Sequence, residues 1–249
     1  MSGSLYERVL GDRYPELHPR VQEYFAQPAG TAVRYDGVFD VAGCTVPALR
    51  PVFAALAGEQ MFFPEYGEGV PFSIVNRAYV DDDGAPCLAA ERILTFPGRT
   101  RRFTDLCRLG RDGLLLDLVG AHHVLRTGLR LSATDDGAMR LASTAAWVGP
   151  PGGSPAGGPV TTTPPRALPG LRMPRVLAAG AYTEQGFDDA TGRFTIQTRV
   201  VQPLLGTLFV YAGRFDPEPH PVPWPPSPTR QLVNRCSPES PGSACVDIY

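Results

Sequence analysis

The chain has 249 residues, 43 % of them hydrophobic and 19 % charged, and carries a net charge of −2. This balance suits a folded globular core and excludes the basic footprint of a nucleic-acid binder. All 23 basic residues are arginine, so Schiff-base chemistry, a P-loop lysine and a kinase-type ATP lysine are excluded too.

The chain opens on "SLYERVLGDRYPEL", where Ser4 followed by Glu7 makes a capping box and Leu5, Val9 and Leu10 share a helical face. A second helix is predicted from Pro19, with Val21, Tyr24 and Phe25 at i, i+3 and i+4. "TAVRYDGVFDV" reads as a strand, and "VPALRPVFAALAGE" as a third helix with Leu49, Val52, Phe53 and Leu56 on one face and Gly58 as its stop. Then follow strands: "VPFSIVNRAYV", "CLAAERILTF", "RTRRFTDLC", "GLLLDLVGA", "HHVLRTGLRLSA", "MRLASTAAWV", "RVLAAGAYTEQGF", "GRFTIQTRVVQ" and "LLGTLFVYAGRF". "TDDGA", "DDATG" and "PLLG" are their turns, and "DDDG" at Asp81–Gly84 is an acidic hairpin turn, since it lacks the remaining ligand positions of a calcium loop.

Strands joined by short turns predict an α+β domain: a strongly curved, barrel-like antiparallel sheet packed by N-terminal helices. Residues 1–216 form this one domain, interrupted by a Gly/Pro/Thr-rich loop at Gly149–Gly170. Residues 217–249 are Pro/Ser-rich and read as a disordered tail, with Trp224 in solvent. No run of about 18 apolar residues predicts a membrane span, and the N-terminus lacks a secretory pattern, so a cytoplasmic location is expected. The five cysteines include no CxxC and indicate neither a zinc site nor a disulfide framework.

Three stretches carry a family likeness: "LYERVLGDRYPELHPRVQEYF", then "GTAVRYDGVFDV" with the apolar helix behind it, and above all "GRFTIQTRVVQPLLGTLFVYAGRFDPE". In these the chain resembles the bacterial domain of unknown function 4166 family, over roughly Leu5 to Glu218. The central "AAERILTFPGRTRRF" departs from that pattern in lacking a tryptophan before an "FGG"-like turn. The resemblance implies a β-rich fold with N-terminal helices. It also suggests an oxidoreductase partner, because this domain occurs beside nicotinamide-dependent oxidoreductase-like domains. It brings no catalytic residues.

No GxSxG, HExxH or helix-opening GxGxxG occurs, so no cofactor and no metal are expected. The candidates come from strand alternation, which puts i and i+2 on one side. On "HHVLRTGLRL", His123 joins the apolar face of Leu125, Thr127 and Leu129, while His122 joins Arg126 and Arg130 opposite. On "CLAAERILTF", Arg92 is the charged member of an apolar face and needs a partner, either Asp105 or Glu91. Tyr211 offers a phenol from the last strand, and Tyr182 and Glu184 are lesser candidates. His123, Glu91, Arg92 and Tyr211 form the candidate catalytic set, able to do acid–base work with shifted pKa values in an apolar pocket. The expected function is a cavity that binds a hydrophobic small molecule, as a cofactor-independent isomerase or cyclase in bacterial specialised metabolism. The alternative is a non-enzymatic lipid- or metabolite-binding protein, or an accessory module of an oxidoreductase. A pocket of about 300 Å³ or more with a polar cluster favours ligand chemistry.

Overall fold

A computed structural model describes residues 3–110, 113–150, 170–174 and 176–224. Among these residues three short α-helices, α1 (Leu5–Leu10), α2 (Pro19–Phe25) and α3 (Arg50–Leu56), accompany twelve strands. The long strands of the first half are β1 (Thr31–Cys44), β2 (Tyr66–Val80), β3 (Pro86–Phe96), β4 (Arg99–Leu109), β5 (Leu115–Val119) and β6 (Leu125–Ala133). The second half supplies β7 (Met139–Val148), β9 (Gly180–Asp188), β10 (Arg193–Gln202) and β11 (Gly206–Phe215). The two-residue strands β8 (Leu171–Arg172) and β12 (His220–Pro221) pair with β7 and β1.

Ten strands run antiparallel in chain order, and β11 pairs back onto β1, so the sheet closes into a barrel. Closure pairs the first and last long strands, which would otherwise be edges for other chains to extend. At the seam Gly37 lies opposite Phe215, and Gly213 opposite Phe39. A Cβ on Gly37 would collide with the Arg214 carbonyl, and one on Gly213 with the Val38 carbonyl. The glycine in the terminal "YAGRF" is therefore what lets the two strands meet.

The two ends of the barrel differ. The N-terminal helices close one end. Ser4 Oγ accepts from Glu7 N at 3.3 Å, while Ser4 N donates to Glu7 Oε2 at 3.2 Å, and this box starts α1. His18 Nδ1 accepts from Arg20 N to cap α2. Tyr6, Val21, Tyr24 and Phe25 are buried as a plug, with Tyr24 against Phe25, Tyr35, Phe194 and Phe215 at ring distances of 4.9 to 5.6 Å. At the other end β7 and β9 pair only over Met139–Ala142. Beyond that point they diverge, and the gap is bridged by Met173 N donating to Ala146 O and Ala181 N donating to Ser143 Oγ.

Two expectations need correction. The strand predicted from His122 begins only at Leu125. Gly120 (φ 88°) and His123 (φ 55°) are left-handed, so the histidines sit in a turn where strand alternation does not apply. Trp224 of the tail, expected in solvent, instead packs its ring on Tyr79 at 6.2 Å over the outward cluster of Cys87, Ala89, Leu106 and Leu118. The remainder of that tail and residues 151–169 of the predicted loop lie outside the described residues. No helix among the described residues is long and apolar enough to cross a membrane.

Candidate functional site

Alternation places Leu88, Ala90 and Arg92 of β3 inside the barrel and Cys87, Ala89 and Glu91 outside. The inward set lines a cavity of about 390 Å³. It runs from Leu56, Phe62, Val148 and Leu177 at the open end to Tyr6, Tyr24 and Phe25 at the plug. Its walls are mostly aliphatic and aromatic, and its polar groups gather toward the plug.

Register builds that polar group. Asp105 of β4 pairs with Ala90, one diagonal step from Arg92, within reach of a long side chain. Arg92 Nη1 donates to Asp105 Oδ1, and the guanidinium lies 5.5 Å from the Phe103 ring centre and 5.9 Å from that of Tyr211. One rung along, Cys107 pairs with Asp117, and Asp117 with Thr127. Thr127 Oγ1 donates to Asp117 Oδ2 at a long 3.4 Å. Next along the wall, Asn76 of β2 pairs with Ala90, and its Nδ2 donates to the Tyr24 hydroxyl at 2.9 Å.

The charges follow from burial and from these neighbours. Burial works against the Arg92 cation, but Asp105 and then Tyr211 outweigh it and keep its pKa above the ordinary value. Burial, followed by the negative charge of Asp105, pushes the Asp117 carboxyl well above the usual carboxylate range, with Arg92 and Thr127 opposing only in part. Burial, Asp117 and Asp105 likewise raise the Cys107 thiol, so it is a poor nucleophile. Burial also raises the Tyr211 phenol against the pull of Arg92.

Oxygens of Asp105 and Asp117 and the Cys107 sulfur lie within 4.8 Å of one another. A cation there competes with the Arg92 guanidinium for Asp105 and must displace protons from Cys107 and Asp117. The cluster is arranged as one compensated ion pair beside a carboxyl and a thiol whose pKa values burial and Asp105 raise.

Arg92 and Tyr211 thus line the cavity, and Asp105 rather than Glu91 is the partner of Arg92. Glu91 points outward, where it pairs with Arg102 and stands 3.6 Å from Arg77. Tyr182 is exposed, and Glu184 pairs with Arg140 at the surface. His123 is not among the lining residues. Its Nδ1 is buried without a partner, and burial, then the charge of Arg126, lowers its pKa to about 4. Beside it His122 Nδ1 is 2.8 Å from Glu59 Oε2. Sequence reasoning missed Asp117, although one carboxylate inside "LLLDLV" is a signal of the same kind as Arg92 in "AAERIL".

The Bacillus subtilis (strain 168) protein described as "Uncharacterized protein YndH" is 26 % identical over 218 residues, a span of 86 % of this chain and 97 % of that protein. The model of the family described as "Domain of unknown function (DUF4166)" matches residues 17–215, from the residue before the α2 cap to the last residue of the closing strand. The chain belongs to the DUF4166 family.

Proposed function

We propose that the barrel binds an elongated, predominantly apolar small molecule whose polar end rests on Arg92, Asp105 and Asp117. One observation carries this reading. Asn76 Oδ1, Gln185 Nε2, Arg92 Nε and Asp117 Oδ1 are buried without hydrogen-bond partners, and all four belong to side chains that line the cavity. Each such atom costs about 1–3 kcal/mol when left unpaired. A ligand carrying a carbonyl or hydroxyl at one end satisfies several of them while its apolar body fills the remaining space. The 390 Å³ volume falls in the range of small-molecule sites. The buried free thiols of Cys44, Cys87 and Cys107 fit a reducing, cytoplasmic compartment.

The test is displacement of a fluorescent apolar probe, anilinonaphthalene sulfonate, with Ala146→Trp as the cavity-filling variant. The wild type should bind the probe, and the filled variant should lose it with its thermal transition kept. Equal probe binding by both proteins rejects the cavity as the site.

A second reading rests on Asp117, a carboxyl lining the cavity whose pKa burial and the charge of Asp105 push well above the usual carboxylate range. It is the group suited to act as general acid on a bound molecule, with Tyr211 and Arg92 polarising the same end. This is the cofactor-independent isomerase or cyclase reading, in bacterial specialised metabolism, with the acid moved from His123 or Glu91 to Asp117. Conversion of a bound molecule by wild type, lost in Asp117→Asn with binding kept, supports it. Binding without conversion in both proteins leaves a carrier, or a module that serves an oxidoreductase.

A further inference from the structure

The cavity opens through a rim that is apolar outside as well as inside. Of the eleven large apolar side chains exposed among the described residues, seven lie together: Val52 on α3, Val148 at the end of β7, Leu171, Val176 and Leu177 after it, and Leu204 and Leu205 on the β10–β11 turn. Val148 and Leu177 line the cavity and are still 46 % and 62 % exposed. Leu204 and Leu205, 75 % and 57 % exposed, are tied into the same rim. Their backbone N–H groups donate to Gln202 Oε1, and Gln202 Nε2 donates to Val176 O. Soluble monomers rarely gather such residues in one place.

Charge is divided between the ends in a matching way. The plugged end carries the acidic turns: Asp81–Asp83, where Arg108 pairs with Asp81 and Asp83, then Asp135 and Asp136, and Asp188 and Asp189, with His18 beside Asp189. The turns of the open end, Pro97–Gly98, Gly120–Val124 and Pro203–Leu205, contain no acid. The rim's Glu59 and Glu65 are engaged by His122 and by Arg99 and Arg101. Arg50 and Arg172 are exposed there and make no ion pair among the described residues, against two exposed acids at the height of the rim, Glu68 of β2 and Asp40 of β1, the latter 3.6 Å from Arg214. The molecule is therefore polarised, with apolar and basic character around the mouth and acidic character at the plug.

We propose that this collar seats the protein on an anionic lipid surface, with the mouth of the cavity facing the acyl region. Exposed leucines and valines enter the interface, Arg50 and Arg172 meet lipid phosphates, and the acidic plug end is held outward by repulsion. The proposal rests on the cavity reading in one respect: a cavity open toward lipid takes its ligand from the membrane, which names the ligand class as a membrane-soluble amphiphile with a small polar end.

The experiment is flotation of the full chain with phosphatidylcholine vesicles and with vesicles of phosphatidylcholine and phosphatidylglycerol. Binding is expected to the anionic vesicles and to weaken with added salt. Leu204→Asp combined with Leu205→Asp should weaken it about tenfold or more, and Val38→Asp on the outer wall should leave it unchanged. Both proteins are first checked for an unaltered thermal transition; if the double variant fails to fold, Leu177→Asp replaces it. No binding to anionic vesicles, or equal binding by the leucine variant, overturns the proposal. So does a concentration-dependent dimer abolished by that variant, because a second copy then covers the collar. Binding seen only after removal of residues 151–169 overturns it as well. Anilinonaphthalene sulfonate binding in solution is read on the same proteins. Probe binding without vesicle binding sinks the docking surface alone, and vesicle binding without probe binding sinks the cavity reading alone.

Discussion

The two ends of the barrel are closed and framed by helices with the same apolar spacing, yet they end in opposite states. In α2, Val21, Tyr24 and Phe25 are 0 %, 5 % and 6 % exposed. In α3 the corresponding stripe buries Phe53 at 6 %, against Phe62 and Phe209, but leaves Val52 at 54 %. The difference lies in what each stripe meets. The α2 stripe enters a bore lined by Tyr35, Phe194 and Phe215, while α3 lies along a rim, where Leu49 and Leu56 are only partly buried against the core and Val52 faces outward. Periodicity marks a face as apolar, and its depth of burial is set by the opposing element.

The comparison can be tested from its most deeply buried member outward. Arg92→Ala leaves Asp105 uncompensated beside Asp117 and should cost about 3–5 kcal/mol by urea denaturation. The exchange Arg92→Met with Asp105→Leu should cost far less, because no charge is stranded. At the plug, Phe25→Ala removes a buried ring and should cost about 3 kcal/mol in the same assay.

The ends should also respond to pH with opposite signs. His123, at the open end, has a folded pKa of about 4, below the ordinary 6.5. The unfolded chain therefore takes up the proton first, so stability is full above pH 6.5 and declines as pH falls toward 4. The loss is up to about 3 kcal/mol, and His123→Gln should flatten the slope. Asp117, toward the plug, has a raised folded value, so the unfolded chain ionises first as pH rises. Its contribution is complete below the ordinary carboxylate pKa and is lost as pH climbs toward the folded value. Asp117→Asn should accordingly raise the thermal transition at neutral pH by a few degrees and leave it unchanged in acid. The smallest effect belongs to the rim: Val52→Ala should shift stability by less than about 0.5 kcal/mol. A cost there close to that of Phe25→Ala would mean that the collar is a packed surface and that the contrast between the ends is false.

Local chemistry was written in the residue order. Ser4 with Glu7, Pro19 and the Asp-rich turns each act through neighbours a few positions away, so the helix starts and hairpins are readable without the fold. Alternation likewise placed Leu125, Thr127 and Leu129 inside β6, and Arg92 inside β3 with Asp105 as one of its two possible partners. The approach of β1 to β11 was different. "YAGRF" marks a glycine, but only closure shows that Gly213 is needed because the Val38 backbone occupies the space of a side chain.

The site was decided by tertiary structure. Glu91 and Arg92 are adjacent in sequence, yet one pairs with surface arginines and the other with a carboxylate inside the barrel. Alternation separates their sides but says nothing about height around the wall. Height comes from register, which sets Asp117 beside Cys107 and Thr127 and Asn76 beside Ala90, under the helix that supplies the Tyr24 hydroxyl. His123 failed for the converse reason. Its place was inferred from a strand pattern, and a left-handed backbone at Gly120 and at His123 itself ends that pattern before the strand begins. The sequence by itself determines which residues are apolar, where turns form and which face a strand side chain takes. Which of those inward groups meet, and which end of the barrel stays open, depends on strand register and closure, which join positions far apart in the chain.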